Sequence, residues 1–133
     1  MDINKVTLIG RLVRKPELET NEAGVPIARF SIATNYIWRD YKTKEKHDTT
    51  QFHTVMVWGK LAEIASTYLD KASRVYIEGR LQYREITDAD NRKRVVTDII
   101  ADELIMLGKN GTKKEEIQPL KTDINPKELT AKE

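Results

Sequence analysis

Thr50-Gln51-Phe52-His53-Thr54-Val55-Met56-Val57-Trp58-Gly59-Lys60-Leu61-Ala62-Glu63-Ile64-Ala65-Ser66-Thr67-Tyr68 changes its period halfway along. Over residues 50–58 the side chains alternate. Phe52, Thr54, Met56 and Trp58 fall on one side, and His53, Val55 and Val57 fall on the other, as in a strand. Gly59 ends the alternation. Beyond it Leu61, Ile64, Ala65 and Tyr68 stand at i, i+3, i+4 and i+7, the spacing of one face of an α-helix. This is the one amphipathic helix that the chain predicts, and it follows directly on a strand.

Strands are expected on both sides of that unit. Upstream, residues 5–13 place Val6, Leu8 and Leu12 at period two with Gly10 in step, which predicts a half-buried strand that bends at the glycine. Lys15-Pro16-Glu17 interrupts it, and Asn21-Glu22-Ala23-Gly24 is a turn signal. A second strand follows over residues 25–35, with Ala28, Phe30, Ile32 and Thr34 on one face. Residues 36–50 are polar and read as a long connection with Tyr36, Trp38 and Tyr41 embedded in it. Downstream, Asp70-Lys71-Ala72-Ser73 closes the helix. A fourth strand runs over residues 74–86, residues 87–91 turn, and a fifth strand covers residues 92–101 before Leu104 to Leu107 complete the domain.

On its fourth strand Arg74, Tyr76, Glu78, Arg80, Gln82 and Arg84 share a face. This strand is too long and too polar to be buried throughout, so its end is expected to leave the barrel as a hairpin arm. Three strands, a helix and two strands is the element order of an OB-fold, a five-stranded Greek-key barrel; other small barrels also have five strands. The domain is placed at residues 1–108. Residues 109–133 hold six lysines, five acids, two prolines and no aromatic, and read as a disordered tail.

Composition narrows the chemistry. The chain has 133 residues and no cysteine, so disulfides and thiolate metal sites are excluded. Two histidines, His47 and His53, are too few for a metal cluster. There is no phosphate-binding glycine loop and no nucleophile elbow, so neither an enzyme nor a cofactor is expected. No segment approaches the 18 apolar residues of a membrane span, and the N-terminus has no leader pattern. A cytoplasmic protein is expected. The net charge is only +2, so a polyanion partner requires charges sorted by face.

The aromatics supply such a face. Phe52 and Trp58 lie six residues apart on one side of a strand, about 20 Å at ~3.3 Å per residue. Exposed aromatics along a sheet are platforms on which unpaired bases stack. Trp38 sits among Arg39, Lys42, Lys44 and Lys46, where there is little core for an indole to enter. Lys60, Lys71, Arg80 and Arg84 extend the cationic company.

At these residues the sequence resembles the bacterial single-stranded-DNA-binding protein family over about residues 4–108. The resemblance rests on blocks in order: Asn4 to Gly10, Trp38-Arg39-Asp40, Gln51-Phe52-His53, Trp58 to Ala65, Tyr68-Leu69 and Val75 to Leu81. It implies an OB-fold, usually a homotetramer, that wraps single-stranded DNA in replication, recombination and repair, close to the nucleoid. It implies stacking by Trp38, Phe52 and Trp58 and phosphate contacts from Lys60, Lys71 and Arg84. It also implies subunit contacts from His53, Tyr76 and the first strand at Asn4, Lys5 and Val6.

Three positions depart from the family pattern. Ile86 stands where a tryptophan is common, so it offers apolar contact without a stacking ring. Ala72 stands where glycine is common after the helix, a site that often needs positive φ. The tail ends Pro126-Lys127-Glu128-Leu129-Thr130-Ala131-Lys132-Glu133 instead of in an acidic stretch with a hydrophobic tip. That puts in doubt the usual docking of replication and repair enzymes. It keeps open a primosome- or mobile-element-type OB-fold accessory that scaffolds other proteins, and an RNA-binding OB module, since stacking does not test the 2′-hydroxyl.

Overall fold

A computed structural model describes residues 1–109. In chain order it contains β1 (Val6–Leu12), β2 (Glu17–Thr20), β3 (Pro26–Arg39), β4 (Lys46–Trp58), α1 (Lys60–Tyr68), β5 (Ser73–Thr87) and β6 (Lys93–Lys109). The sheet order is β1-β5-β6-β4-β3-β2, and an added β1–β3 pairing closes a five-stranded barrel. β4 and β6 run parallel, while every other pair is antiparallel. This is the expected all-β architecture with one helix. β6 reaches Lys109; the expected disordered tail lies outside the described residues.

The alternation read from the sequence is the alternation of burial. Ala28, Phe30, Ile32, Val55, Val57, Val75 and Ile77 fill the barrel, each 4% exposed or less. Closure needs two close backbone approaches. At Gly10, just before β1 pairs with β3 as well as with β5, a β-carbon would lie 2.6 Å from the Ala33 carbonyl oxygen. At Gly79 it would lie 1.9 Å from the Ile100 carbonyl oxygen. Gly79 adjoins a register shift: Glu78 pairs with Glu103 but Gly79 with Ala101, so Asp102 is an extra, unpaired residue on β6. Such a bulge bends its strand and re-aims the inserted side chain.

Three sequence expectations are corrected. Residues 36–50 are not a long loop. β3 and β4 continue as a hairpin arm through them in one register, from Ile27↔Trp58 out to Arg39↔Lys46. The Asp40 carboxylate closes its tip, accepting from the backbone N–H groups of Lys42 (2.7 Å) and Thr43 (3.0 Å). Those same bonds hold Asp40 below the usual carboxylate range. Second, residues 17–20 form a separate short strand, β2, against β3. Third, α1 buries Ala62 and Ala65, followed by Leu69, while Tyr68 is exposed. The helix lies so close to the strands that small residues face the core.

α1 ends at Tyr68, and Ala72 then takes φ 74° to begin β5. Its N–H donates to the Leu12 carbonyl (2.9 Å), so the conformation is locked to the barrel. The left-handed region costs a β-carbon about 1 kcal/mol. Ala72→Gly is therefore expected to stabilise the domain by about 1 kcal/mol, read as a raised urea midpoint with an unchanged slope.

Candidate nucleic-acid interface

The outer face of the barrel is built from the even-numbered residues of β4 and β5 and their partners. Thr54↔Asp98 and Met56↔Ile100 place the outer side of β4 beside that of β6. Arg80↔Ile100, Gln82↔Asp98, Arg84↔Val96 and Ile86↔Arg94 continue it along the β5–β6 arm. Phe52 is 66% exposed and Trp58 42%, against 7% for Met56 between them. Phe52, Trp58, Arg84 and Ile86 thus share one continuous surface, with Arg80 and Gln82 filling the space between them. Trp58, Leu61, Arg80, Gln82, Ile100, Ala101 and Asp102 line a shallow cleft of about 390 Å³ on this surface. Lys60 opens α1 directly after Trp58 and Gly59 and is exposed, as is Lys71 beyond the helix end.

Arg84 has a second occupation. Its Nε donates to the Asp98 carboxylate at 2.5 Å, and the Asp98 side chain is 1% exposed. Removing the arginine would strand a buried charge, which is costly. An Arg84→Ala variant therefore reports on the integrity of the arm as well as on any phosphate contact.

Trp38 does not share the face of Phe52. The β3–β4 ladder runs without a slip. It pairs Trp38 with His47 and Phe52 with Ala33, so the two rings lie on opposite sides of the ribbon. Trp38 stacks on His47, with centroids 4.3 Å apart and planes 17° from parallel, and stays 42% exposed. Tyr36, 66% exposed, is on the Trp38 side, and Tyr41 stands at the tip. Sequence reasoning placed these tyrosines in a loop. Only the register of the arm shows which of them adjoins Trp38.

A separate polar cluster lies across β1 and β5. The Lys5 ammonium meets Glu78 at 2.9 Å, and the Tyr76 hydroxyl donates to the same carboxylate at 2.7 Å. The Asn4 amide copies a strand residue: its Nδ2 donates to the Leu81 carbonyl (3.0 Å) and its Oδ1 accepts from the Leu81 N–H (2.9 Å). Val6 is half-buried at the edge of the core. His53 is on β4, one strand removed from both β1 and β5, and hydrogen-bonds to Thr34 Oγ1 at 2.9 Å. Beside the cluster Ile9 (47% exposed) and Ile105 (45%) flank Tyr76 through the pairs Ile9↔Tyr76 and Tyr76↔Ile105.

Hydrogen bonds from Tyr76 and Lys5 hold Glu78 below its ordinary 4.5. The same carboxylate raises Tyr76 above 10.0 and Lys5 above 10.5. A lowered carboxylate contributes stability that is complete above 4.5 and disappears as pH falls through its folded value. The raised tyrosine and lysine contribute stability that is complete below their ordinary values and disappears as pH rises through the folded ones. The thermal midpoint is thus expected to lose the contribution of this cluster at both extremes. Glu78→Gln should remove that part of the acid limb, which a melting series across pH reads directly.

Comparison with known proteins shows the family and the fold. A sequence model described as the single-strand binding protein family matches residues 3–107. The chain is 41% identical over 107 residues to "Single-stranded DNA-binding protein 1" of Xylella fastidiosa, covering 80% of this chain and 79% of that protein. It is 43% identical over 108 residues to "Single-stranded DNA-binding protein" of Neisseria meningitidis serogroup A, covering 81% of this chain but only 62% of the relative's own length. The solved structure "Plasmodium falciparum SSB complex with ssDNA" superposes with a TM-score of 0.75 at 33% identity, over 80% of this chain and 97% of that one. With the family model spanning nearly all the described residues, this chain belongs to the single-strand binding protein family.

Proposed function

We infer that the chain binds and protects single-stranded DNA without sequence readout along most of its track, by stacking bases on exposed aromatics and meeting phosphates with lysine and arginine. The observation that carries this is the continuous outer face on which Phe52 and Trp58 stand exposed beside Arg80 and Arg84. Each stacked base is worth about 1–3 kcal/mol and any base will do. Lys60, Lys71 and Arg84 are assigned to phosphates, Ile86 to apolar contact at the end of the arm, and Trp38 to stacking on the other side of the β3–β4 hairpin. The family is a non-catalytic DNA-binding one, and we assign this chain no reaction. Replication, recombination and repair in the cytoplasm are the processes that such binding serves. Among the described residues no helix is long and apolar enough to cross a membrane.

Self-association is part of the proposal. Between Val6 and Gly10 β1 pairs with β5 alone, and only Arg11 and Leu12 reach β3. The other edge of β1 is an open row of backbone donors and acceptors, which a second copy can extend. The Ile9–Tyr76–Ile105 strip crosses β1, β5 and β6, and the Lys5–Glu78 pair adjoins it through the Tyr76 hydroxyl. A homotetramer, with Asn4, Lys5, Val6, His53 and Tyr76 at its contacts, is the assembly we assign.

The test is a titration with long oligo-dT followed by tryptophan fluorescence at two salt concentrations, with duplex DNA as control. Trp38 and Trp58 are the only tryptophans. Strong quenching by oligo-dT, none by duplex, and weakening with salt are expected. An equal response to duplex, or no quenching, would remove the stacking assignment.

A further inference from the structure

The cleft beside Trp58 contains a group that a purely sequence-blind polyanion binder has no use for. Asp102 is the residue inserted by the β6 bulge. It is exposed, and it lines the cleft with Trp58, Arg80 and Gln82. Its carboxylate has no hydrogen bond or ion pair among the described residues. Arg80, in the same cleft, turns instead to the Gln82 side-chain oxygen at 3.5 Å. An unneutralised carboxylate on a surface meant for phosphates repels the ligand unless it is given donors to accept from. The donors available on unpaired DNA are the N–H groups of the bases. A base stacked against Trp58 presents its Watson–Crick edge sideways, toward the walls of the cleft.

We propose that this cleft reads one base per subunit, with Asp102 accepting hydrogen bonds from the Watson–Crick edge of a guanine stacked on Trp58. Guanine is the base of choice because its N1–H and 2-amino N–H point the same way, matching the two oxygens of a carboxylate. Thymine offers one N–H between two carbonyl oxygens, both of which the carboxylate repels. Cytosine and adenine offer an amino group beside a ring acceptor. The backbone is built tightly here: the bulge that delivers Asp102 lies beside Gly79, where the chain at Ile100 and Ala101 approaches to a distance that a side chain would forbid. The proposal rests on the single-stranded-DNA reading above and adds a preference to it.

The experiment measures binding of the full chain to three otherwise identical dT oligomers. One is all thymidine, one carries a single deoxyguanosine and one a single deoxyinosine, which keeps N1–H but lacks the 2-amino group. An oligomer longer than one site leaves the protein free to choose its register. The native chain is expected to bind the guanine oligomer about tenfold more tightly than all-dT, with inosine between them. Asp102→Ala should bind all-dT somewhat better than the native chain does, through loss of a negative charge, bind the guanine oligomer more weakly than the native chain does, and rank the three equally. Asp102→Asn, which keeps the shape of the side chain, should compress the range. Equal binding of the three oligomers by the native chain overturns the proposal, as does a ranking that survives in Asp102→Ala. Failure to bind any oligomer overturns the single-stranded-DNA reading itself and the preference with it.

Discussion

Gly79→Ala is expected to cost the domain about 3 kcal/mol or more and to lower its melting temperature by on the order of 10 °C. The added carbon would sit 1.9 Å from the Ile100 carbonyl oxygen and 2.7 Å from the Ala101 α-carbon. Both obstacles are backbone, in the middle of the longest ladder of the barrel, so no rotamer change relieves them. Gly79 itself is buried and lies on β5 between Ile77 and Leu81. Relief requires β6 to move away at its bulge, and that breaks hydrogen bonds on either side. Against a total stability of about 5–15 kcal/mol this is a large fraction of what holds the domain folded. Urea denaturation with a check of the slope separates simple loss of stability from a change of the native state. Retention of the native midpoint would show that the bulge is softer than its geometry implies.

Phe52→Ala combined with Trp58→Ala is expected to weaken oligo-dT binding by roughly 30-fold or more at fixed salt, from two stacks of about 1–3 kcal/mol each. Phe52 is 66% exposed and Trp58 42%, so little core is lost with them. Thermal stability should therefore change far less than affinity does. The contrast matters because a structural role would reverse it: a large fall in melting temperature with modest loss of affinity would place these rings in the fold and not in the interface. Readout by anisotropy of a labelled oligomer is needed, since the double variant retains only Trp38 as an intrinsic reporter.

The strand–helix switch at Gly59 and the alternation of the barrel strands were legible because each has one dry and one wet face. The outer part of the β3–β4 hairpin was not. From Tyr36 to Arg39 and from Lys46 to Gln51 both faces meet water, apart from a half-buried His47, so no hydrophobic alternation marks a strand. The helix is legible in the sequence, but its largest residues do not mark the face that packs on the barrel. A helix that lies close to a barrel turns Ala62 and Ala65 inward and leaves Tyr68 outside. The candidate interface divides in the same way. Phe52 and Trp58 were visible as a period-two pair on a single strand. The side on which Trp38 lies, the partner of Arg84 and the direction of Asp102 depend on register, on a long-range ion pair and on a bulge. These three belong to pairs of strands and leave no mark in either strand alone.

On the proposed binding mode, in which both Trp38 and Phe52 stack on bases, their placement on opposite sides of one ribbon has a consequence for how bound DNA would depart. A strand that touches both rings has to cross the ribbon's edge. It cannot be lifted from the protein in one direction, because the motion that frees one ring tightens the strand against the other. Release then proceeds by peeling from an end, through states in which a few nucleotides are free while the remainder stay held. Such partly released states give an incoming protein or a second DNA segment a place to begin. Tight occupancy and rapid hand-over become compatible properties of the same short hairpin.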